Sequence, residues 1–357
     1  MMRGRGALLL LLLVLCVGCS VASPSPATRA SNAAAGDALT STTVAATTTT
    51  VPPLPLVPWT GPIEHLFFHT LIVDPGVAFN GPSGRGFLDY FVTVKEFKAI
   101  LGQLYANGWT LVDIHRAAAG TVRVPVGRRP VVISEDDVNY YDYERGQGLG
   151  WRLVLDGAGA VKVEVHDDTG IHDTDDDLIP LVDEFVAQHP DFSADGAKGV
   201  IAVTGYQGLF GERVQDPSSP TYADSAARAA AIAARLKATG WTLASHSWGH
   251  LDLSKRSTAY AKIDTDRWRA EAEPIIGPTD VYIYPFGARP NASTLAMLRD
   301  EGYTILCDID VTARLSNVDG VTVMSRRHID GIALAQHASR LTPFFDVATV
   351  RDPARPT

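Results

Sequence analysis

The feature that most constrains this chain is a succession of short apolar runs, each separated from the next by a segment of helical or turn character. Residues 64–73, 109–114, 130–134, 200–203, 241–244, 281–284, 303–307 and 321–324 all read this way. Runs that are apolar at consecutive positions suit strands covered on both faces, as in parallel sheets. Residues 93–106 fit a helix between two of them. Thr93-Val-Lys-Glu has the capping-box form, Phe97, Ile100, Leu101 and Leu104 share a face, and Asn107-Gly108 ends the segment. Residues 178–189, 223–239 and 293–301 read as further helices. The alternation predicts an α/β domain with a parallel sheet, closed or nearly closed into a barrel.

The N-terminus reads differently. Arg3 and Arg5 precede an apolar run over 7–17, followed by Gly18-Cys19-Ser20. The run is short for a membrane span and reads as a signal peptide over 1–19, with a lipobox-like end and Cys19 as the lipidated residue. Residues 20–60 are rich in Ala, Thr, Ser and Pro, and Arg29 and Asp37 are their only charges. They are expected to form a disordered tether. A catalytic domain is expected over 61–345, with an insertion over about 140–220 and a tail over 346–357. Within the insertion, residues 151–155 and 161–165 alternate around Asp156-Gly157, a β-hairpin pattern, and the acidic stretch 166–177 reads as a solvated loop leading into a helix.

Composition narrows the partners. The formal net charge is −9 and no basic stretch is interleaved with aromatics, so nucleic acid is not an expected partner. Of three cysteines, Cys16 and Cys19 lie in the leader, which leaves Cys307 as a buried small hydrophobe without a disulfide. The expectation is an extracytoplasmic monomer, held to the membrane through a lipid on Cys19 or secreted.

Polar residues gather where the apolar runs end. Val131-Val-Ile-Ser-Glu-Asp136-Asp137 puts two adjacent carboxylates there. Neighbours on a strand point to opposite sides, so one can face a metal and the other a substrate. Ser245-His246-Ser-Trp-Gly-His250 follows another run. On a helical turn, an i, i+4 spacing sets both imidazoles on one face, within reach of one ion. Together these segments point to metal-assisted hydrolysis, with one carboxylate left as a base. Tyr140, Tyr141, Tyr143 and Trp151 follow closely, as an aromatic wall for sugar rings or as core.

Ile-Ser-Glu-Asp-Asp, Ser-His-Ser-Trp-Gly-His and Tyr284-Pro-Phe-Gly resemble successive motifs of the polysaccharide deacetylases, the NodB-homology or carbohydrate esterase family 4 group. Phe67-Phe-His-Thr, residues 93–114 and Ala296-Met-Leu-Arg-Asp-Glu-Gly-Tyr303 resemble other stretches of that family. The resemblance spans roughly 63–335, interrupted by the insertion. It implies a distorted (β/α) barrel and a divalent metal, zinc or similar, held by Asp137, His246 and His250. It implies Asp136 as catalytic base and a backbone N–H at Phe286 as oxyanion donor. Glu135 stands where the family usually has Phe or Tyr. Ile283 stands where many members have an arginine that orients the base, and Arg327 at a later strand end is the expected replacement. The family's late Leu-x-His is absent, which leaves His328, His69 and His337 as candidates for the general acid, with His328 placed first. The activity implied is removal of N-acetyl groups from a polysaccharide or peptidoglycan. The alternatives are an O-acetyl esterase using the same site and a non-catalytic carbohydrate-binding lipoprotein.

Overall fold

The computed structural model describes residues 55–356. The signal peptide, Cys19 and nearly all of the expected tether lie outside these residues.

Seven parallel strands form the core of the fold: β1 (Glu64–His69), β2 (Arg129–Asp136), β3 (Gly199–Val203), β4 (Trp241–Ser245), β5 (Val281–Ile283), β6 (Ile305–Ile309) and β7 (Val321–His328). They pair in the order β6-β5-β4-β3-β2-β1-β7, and β7 pairs with β6 as well, so the sheet closes. The ring is uneven. β7 meets β1 only at Arg327↔Leu66 and His328↔Phe67, and β4 meets β5 only at Ser245↔Tyr282. The expected (β/α) barrel is therefore present, with three thinly paired seams, the third being β2 with β3 at Ser134↔Val200 and Glu135↔Ile201.

Strand alternation sorts the side chains into layers. Val132, Val200, Ala202, Ala244, Val281, Ile283, Ile305, Cys307 and Met324 form one buried cluster. Val131, Ile133, Ile201, Val203 and Leu243 pack in another, with Phe97, Ile100 and Leu104 of the helix Val94–Ala106. Each fully buried Val, Leu, Ile, Phe or Met side chain among them contributes roughly 1.5–3 kcal/mol. Cys307 is wholly buried, and burial pushes its thiol up to about 12, so it behaves as the small hydrophobe expected.

Four boundaries differ from the sequence reading. Leu56–Pro58 is a strand paired with Arg123–Pro125, so the end of the expected tether is part of the folded body. The expected insertion is shorter than 140–220, because Gly199–Val203 is a barrel strand and Leu178–Gln188 packs its apolar face into the main core. The hairpin forms at Arg152–Leu155 and Val161–Asp167, and a third strand, Gly170–Thr174, extends it through part of the expected loop. Asp177 ends that stretch as the N-cap of the next helix, where a carboxylate is favoured. The tail is docked over 346–356. Arg355 is buried, and its Nε and Nη2 donate to Glu96 at 2.7 and 2.6 Å.

Candidate active site

The chemistry is assembled by the C-terminal ends of β1, β2, β4 and β7 and by the turn after β5. β2 ends at Asp136, and the next residue, Asp137, takes a left-handed backbone with φ 61°. That bend overrides the strict alternation expected of the pair. Both carboxylates line one cavity of about 460 Å3, together with His69, His246, His250, Phe286 and His328. Strand alternation applies one residue earlier: Glu135 is buried near Asp177, away from the cavity. Burial first, then the charges of Asp177 and Asp136, push its carboxyl up, in the direction of the neutral form.

His246 and His250 do not lie on a helical turn. Residues 246–250 form a loop with left-handed Ser247 and His250. Asp264 fixes it, one oxygen accepting from Trp248 N and the other from Gly249 N, each at 2.8 Å. The two imidazoles still meet, with ring centroids 5.0 Å apart. His246 Nδ1 donates to the Ile283 carbonyl at 2.8 Å, which leaves Nε2 free on the side of Asp137. His246 Nε2 is 4.0 Å from Asp137 Oδ1, and His250 Nε2 is 3.5 Å from Oδ2. One donor atom from each of the three residues lies within 4.8 Å of the others. Two imidazoles and one carboxylate, one imidazole anchored through its other nitrogen, are a donor set that fits a divalent cation. Left-handed backbone at Asp137, Ser247, His250 and Phe286 costs energy at each position, and its concentration here marks a site under functional constraint.

Tyr141 adds a residue that the sequence reading left between wall and core. Its hydroxyl donates to Asp137 Oδ1 at 2.6 Å. A carboxylate only accepts, so the Thr204 hydroxyl must donate to the Tyr141 oxygen, 2.9 Å away. Tyr140 is core instead, bonded to Asp177, and Trp151 stacks on His166 away from the cavity. Only Tyr143 of that group lines the cavity as an exposed aromatic, joined by Tyr90 and Phe286.

Asp136 is paired, though not by the expected arginine. Arg326 Nη1 donates to both Asp136 oxygens, at 2.7 and 2.9 Å. Arg327 is turned away and binds Glu64 Oε2 at 2.7 Å. Strand parity decides this: Arg326 shares a face with Met324 of the inner cluster, and Arg327 points to the other side. Burial by itself would raise the Asp136 carboxyl, but the Arg326 and His246 charges outweigh it and hold the group well below the usual carboxylate range. Asp137 is likewise lowered, with burial opposed by His250, His246 and His69.

Of the candidate acids, His328 shares the inward face of Arg326. Its Nδ1 lies 3.0 Å from Asp330, its ring stacks on Phe67 at 4.2 Å, and Nε2 has no partner among the described residues. Burial first, then His69 nearby, keeps its imidazole well below the usual value and neutral. His69 also reaches the site: its Nδ1 donates to the Tyr90 carbonyl at 3.1 Å, and its Nε2 is 4.0 Å from Asp137 Oδ2. His337 lies outside this cavity, in a neighbouring one. In the turn after β5, Phe286 has φ 59° and its exposed ring lies against His250 at 4.5 Å. Gly287 is needed there, since a Cβ would come within 2.4 Å of Ile309.

No curated protein matches the chain. Several solved structures are similar, all at low identity. A deacetylase, PplD, from Streptococcus pyogenes is 14% identical, with 76% of this chain and 94% of that chain covered at a TM-score of 0.48. A de-N-acetylase from Aggregatibacter actinomycetemcomitans is 13% identical, with 80% and 100% covered at 0.47. The BpsB deacetylase domain from Bordetella bronchiseptica is 15% identical, with 65% and 83% covered at 0.39. The family model described as polysaccharide deacetylase matches residues 211–306, which include His246, His250 and Phe286 but not the Asp136–Asp137 pair. Over that segment, the chain is similar to the polysaccharide deacetylase family.

Proposed function

We propose that the protein is a metal-dependent deacetylase that hydrolyses N-acetyl groups of a cell-surface or extracellular polysaccharide or of peptidoglycan. The observation that carries this reading is the meeting of Asp137, His246 and His250 in one cavity beside a separate, ionised Asp136. A divalent metal there, zinc by the chemistry of the donor set, supplies electrophilic activation of water and of an acyl carbonyl. The chain supplies the rest. Asp136, kept ionised by Arg326, accepts the proton of the attacking water. The Phe286 N–H, presented by a left-handed turn beside His250, stabilises the developing oxyanion. His328, oriented by Asp330, delivers a proton to the departing amine. Because burial keeps His328 neutral at rest, the proton it delivers is the one Asp136 took from water, passed on before the amine departs. The aromatic residues Tyr90, Tyr143 and Phe286 offer faces for sugar rings. Export by residues 1–19 and lipidation of Cys19 would set a monomeric domain outside the membrane, where such glycans are found.

The test is metal analysis of the purified protein combined with acetate release from chitooligosaccharide, peptidoglycan and acetylated xylan. Bound metal in about equimolar amount and acetate from an N-acetylated glycan are expected. Absence of both metal and acetate across all three substrates sinks the reading, and acetate from xylan alone turns it into an O-acetyl esterase.

A further inference from the structure

Beneath the cavity, the inward rows of three strands stack in layers. On β1 the row is His65, Phe67 and His69, on β2 Val132, Ser134 and Asp136, and on β7 Met324, Arg326 and His328. Register sets His65 beside Val132, Phe67 beside Ser134 and His69 beside Asp136. His69, Asp136 and His328 reach the cavity, whereas His65 is wholly buried deeper in the barrel. Its layer is otherwise apolar, with Val132 and Met324. An imidazole there carries a desolvation cost that its hydrogen bonds must offset, and the chemistry of the cavity makes no use of it.

The direction of those bonds follows from donor chemistry. Arg326 Nη1 lies 3.2 Å from Ser134 Oγ, and a guanidinium only donates, so Ser134 accepts. The Ser134 hydroxyl proton then goes to His65 Nε2, 2.9 Å away. His65 Nε2 is therefore bare, and the ring proton sits on Nδ1, 3.2 Å from Met324 Sδ, a weak acceptor. Burial first, then the Arg326 charge, keeps this imidazole well below its usual value and neutral. A proton on Nε2 would leave the Ser134 hydroxyl hydrogen without an acceptor.

This chain of bonds bears on how Arg326 meets Asp136. A guanidinium commonly grips a carboxylate with two parallel N–H groups. Arg326 instead offers Nη1 alone to both Asp136 oxygens, and its Nε and Nη2 find no partner among the described residues. Besides Asp136, the contacts that hold this pose are the Ser134 hydroxyl and the Phe67 ring, whose centroid is 4.2 Å from the guanidinium carbon. One shared nitrogen leaves more lone-pair capacity on Asp136 than a two-pronged grip would, and a base needs that capacity for the proton of water.

We propose that His65 is a positioning residue: through the Ser134 hydroxyl it fixes Arg326 in the single-nitrogen pose that leaves Asp136 able to accept a proton. The proposal rests on the deacetylase reading, in which Asp136 is the base.

The experiment uses the full, metal-loaded chain. An NMR spectrum of the parent with labelled histidine should show His65 neutral, protonated on Nδ1 and bare on Nε2, and this measurement needs no variant to fold. A proton on Nε2 overturns the proposal. His65→Phe keeps the bulk and removes the acceptor, so kcat for acetate release should fall about 10-fold with KM unchanged. His65→Gln, whose side-chain carbonyl can accept in place of Nε2, should recover most of that loss. Ser134→Ala should show a similar fall, and adding His65→Phe to it should lower kcat no further, because both act through one chain of bonds. An unchanged kcat in H65F, a loss in H65Q as deep as in H65F, or losses that multiply in the double variant reduce His65 to packing and overturn the proposal. A parent that releases no acetate from any N-acetylated glycan is a different result: it sinks the deacetylase reading, and the role given to His65 falls with it.

Discussion

Two buried arginine–carboxylate pairs stand in this fold, and they differ in what surrounds them. Arg355 and Glu96 join the C-terminal segment to the first turn of the helix Val94–Ala106. Arg355 has its Nε on Glu96, its Nη1 on the Leu88 carbonyl, and its Nη2 on both Glu96 and the Phe91 carbonyl. Glu96 also closes the capping box, accepting from Thr93 N at 2.8 Å. Arg326 and Asp136 are as deeply buried, but Arg326 uses one nitrogen, on Asp136 and Ser134, while its Nε and Nη2 find no partner among the described residues. The first pair is complete and turned inward. The second opens onto a cavity and keeps polar capacity in reserve. Burial and ion pairing are equal in the two, so neither identifies a functional pair. Incomplete satisfaction beside an accessible cavity does.

Substitutions can separate the two roles. The largest effect is expected from Asp136→Asn, which removes the proposed base and should lower acetate release by about 10²- to 10⁴-fold. Its bound metal should be retained, because Asp137 is untouched, and metal analysis of the variant checks that. Arg355→Met should cost about 3–5 kcal/mol in denaturant unfolding, because it strands the Glu96 carboxylate. Its activity per folded molecule should match the parent, and a parallel loss of activity would erase the distinction between the pairs.

Arg326→Met tests the same contrast through pH. In the parent, Asp136 is ionised well below the usual carboxylate range, so its limb of the kcat/KM profile lies at very acid pH. Without the guanidinium, burial dominates and the carboxyl rises, so activity should fall as pH drops through a higher value. A rise of at least about one pH unit is expected, equivalent to about 1.4 kcal/mol. An unmoved acid limb would mean that Asp136 is not the base. The smallest effect is expected from Tyr141→Phe, which deletes the hydrogen bond to Asp137 Oδ1. Competition with a chelator should show metal affinity reduced by about 10-fold, and an unchanged affinity would reduce Tyr141 to a packing residue.

How legible each element was follows from where its signal lies. The barrel strands were readable because they are apolar on consecutive residues, and the helix Val94–Ala106 because its cap and its apolar face agree. The helix Thr258–Glu271 went unread. Its buried face holds Ala261, Asp264, Thr265 and Trp268, too polar for an amphipathic pattern, yet it supplies the carboxylate that shapes the loop between His246 and His250. The tail was misread because Asp352 and Arg355 look like surface charges until Glu96, far away in sequence, is brought to them. Arg326 was open to a stricter reading: it and His328 share strand parity, and Arg327 does not.

The sequence by itself determined the fold class and the types of residue that could hold a metal, because hydrophobic period and donor chemistry are local properties. Only the tertiary structure decided which groups act together. The left-handed turn at Asp137 put two carboxylates into one cavity, and strand parity gave Asp136 to Arg326. The bond from His246 to Ile283 selected the nitrogen that faces Asp137. Those outcomes depend on backbone direction and on partners that are distant along the chain, which no local pattern encodes.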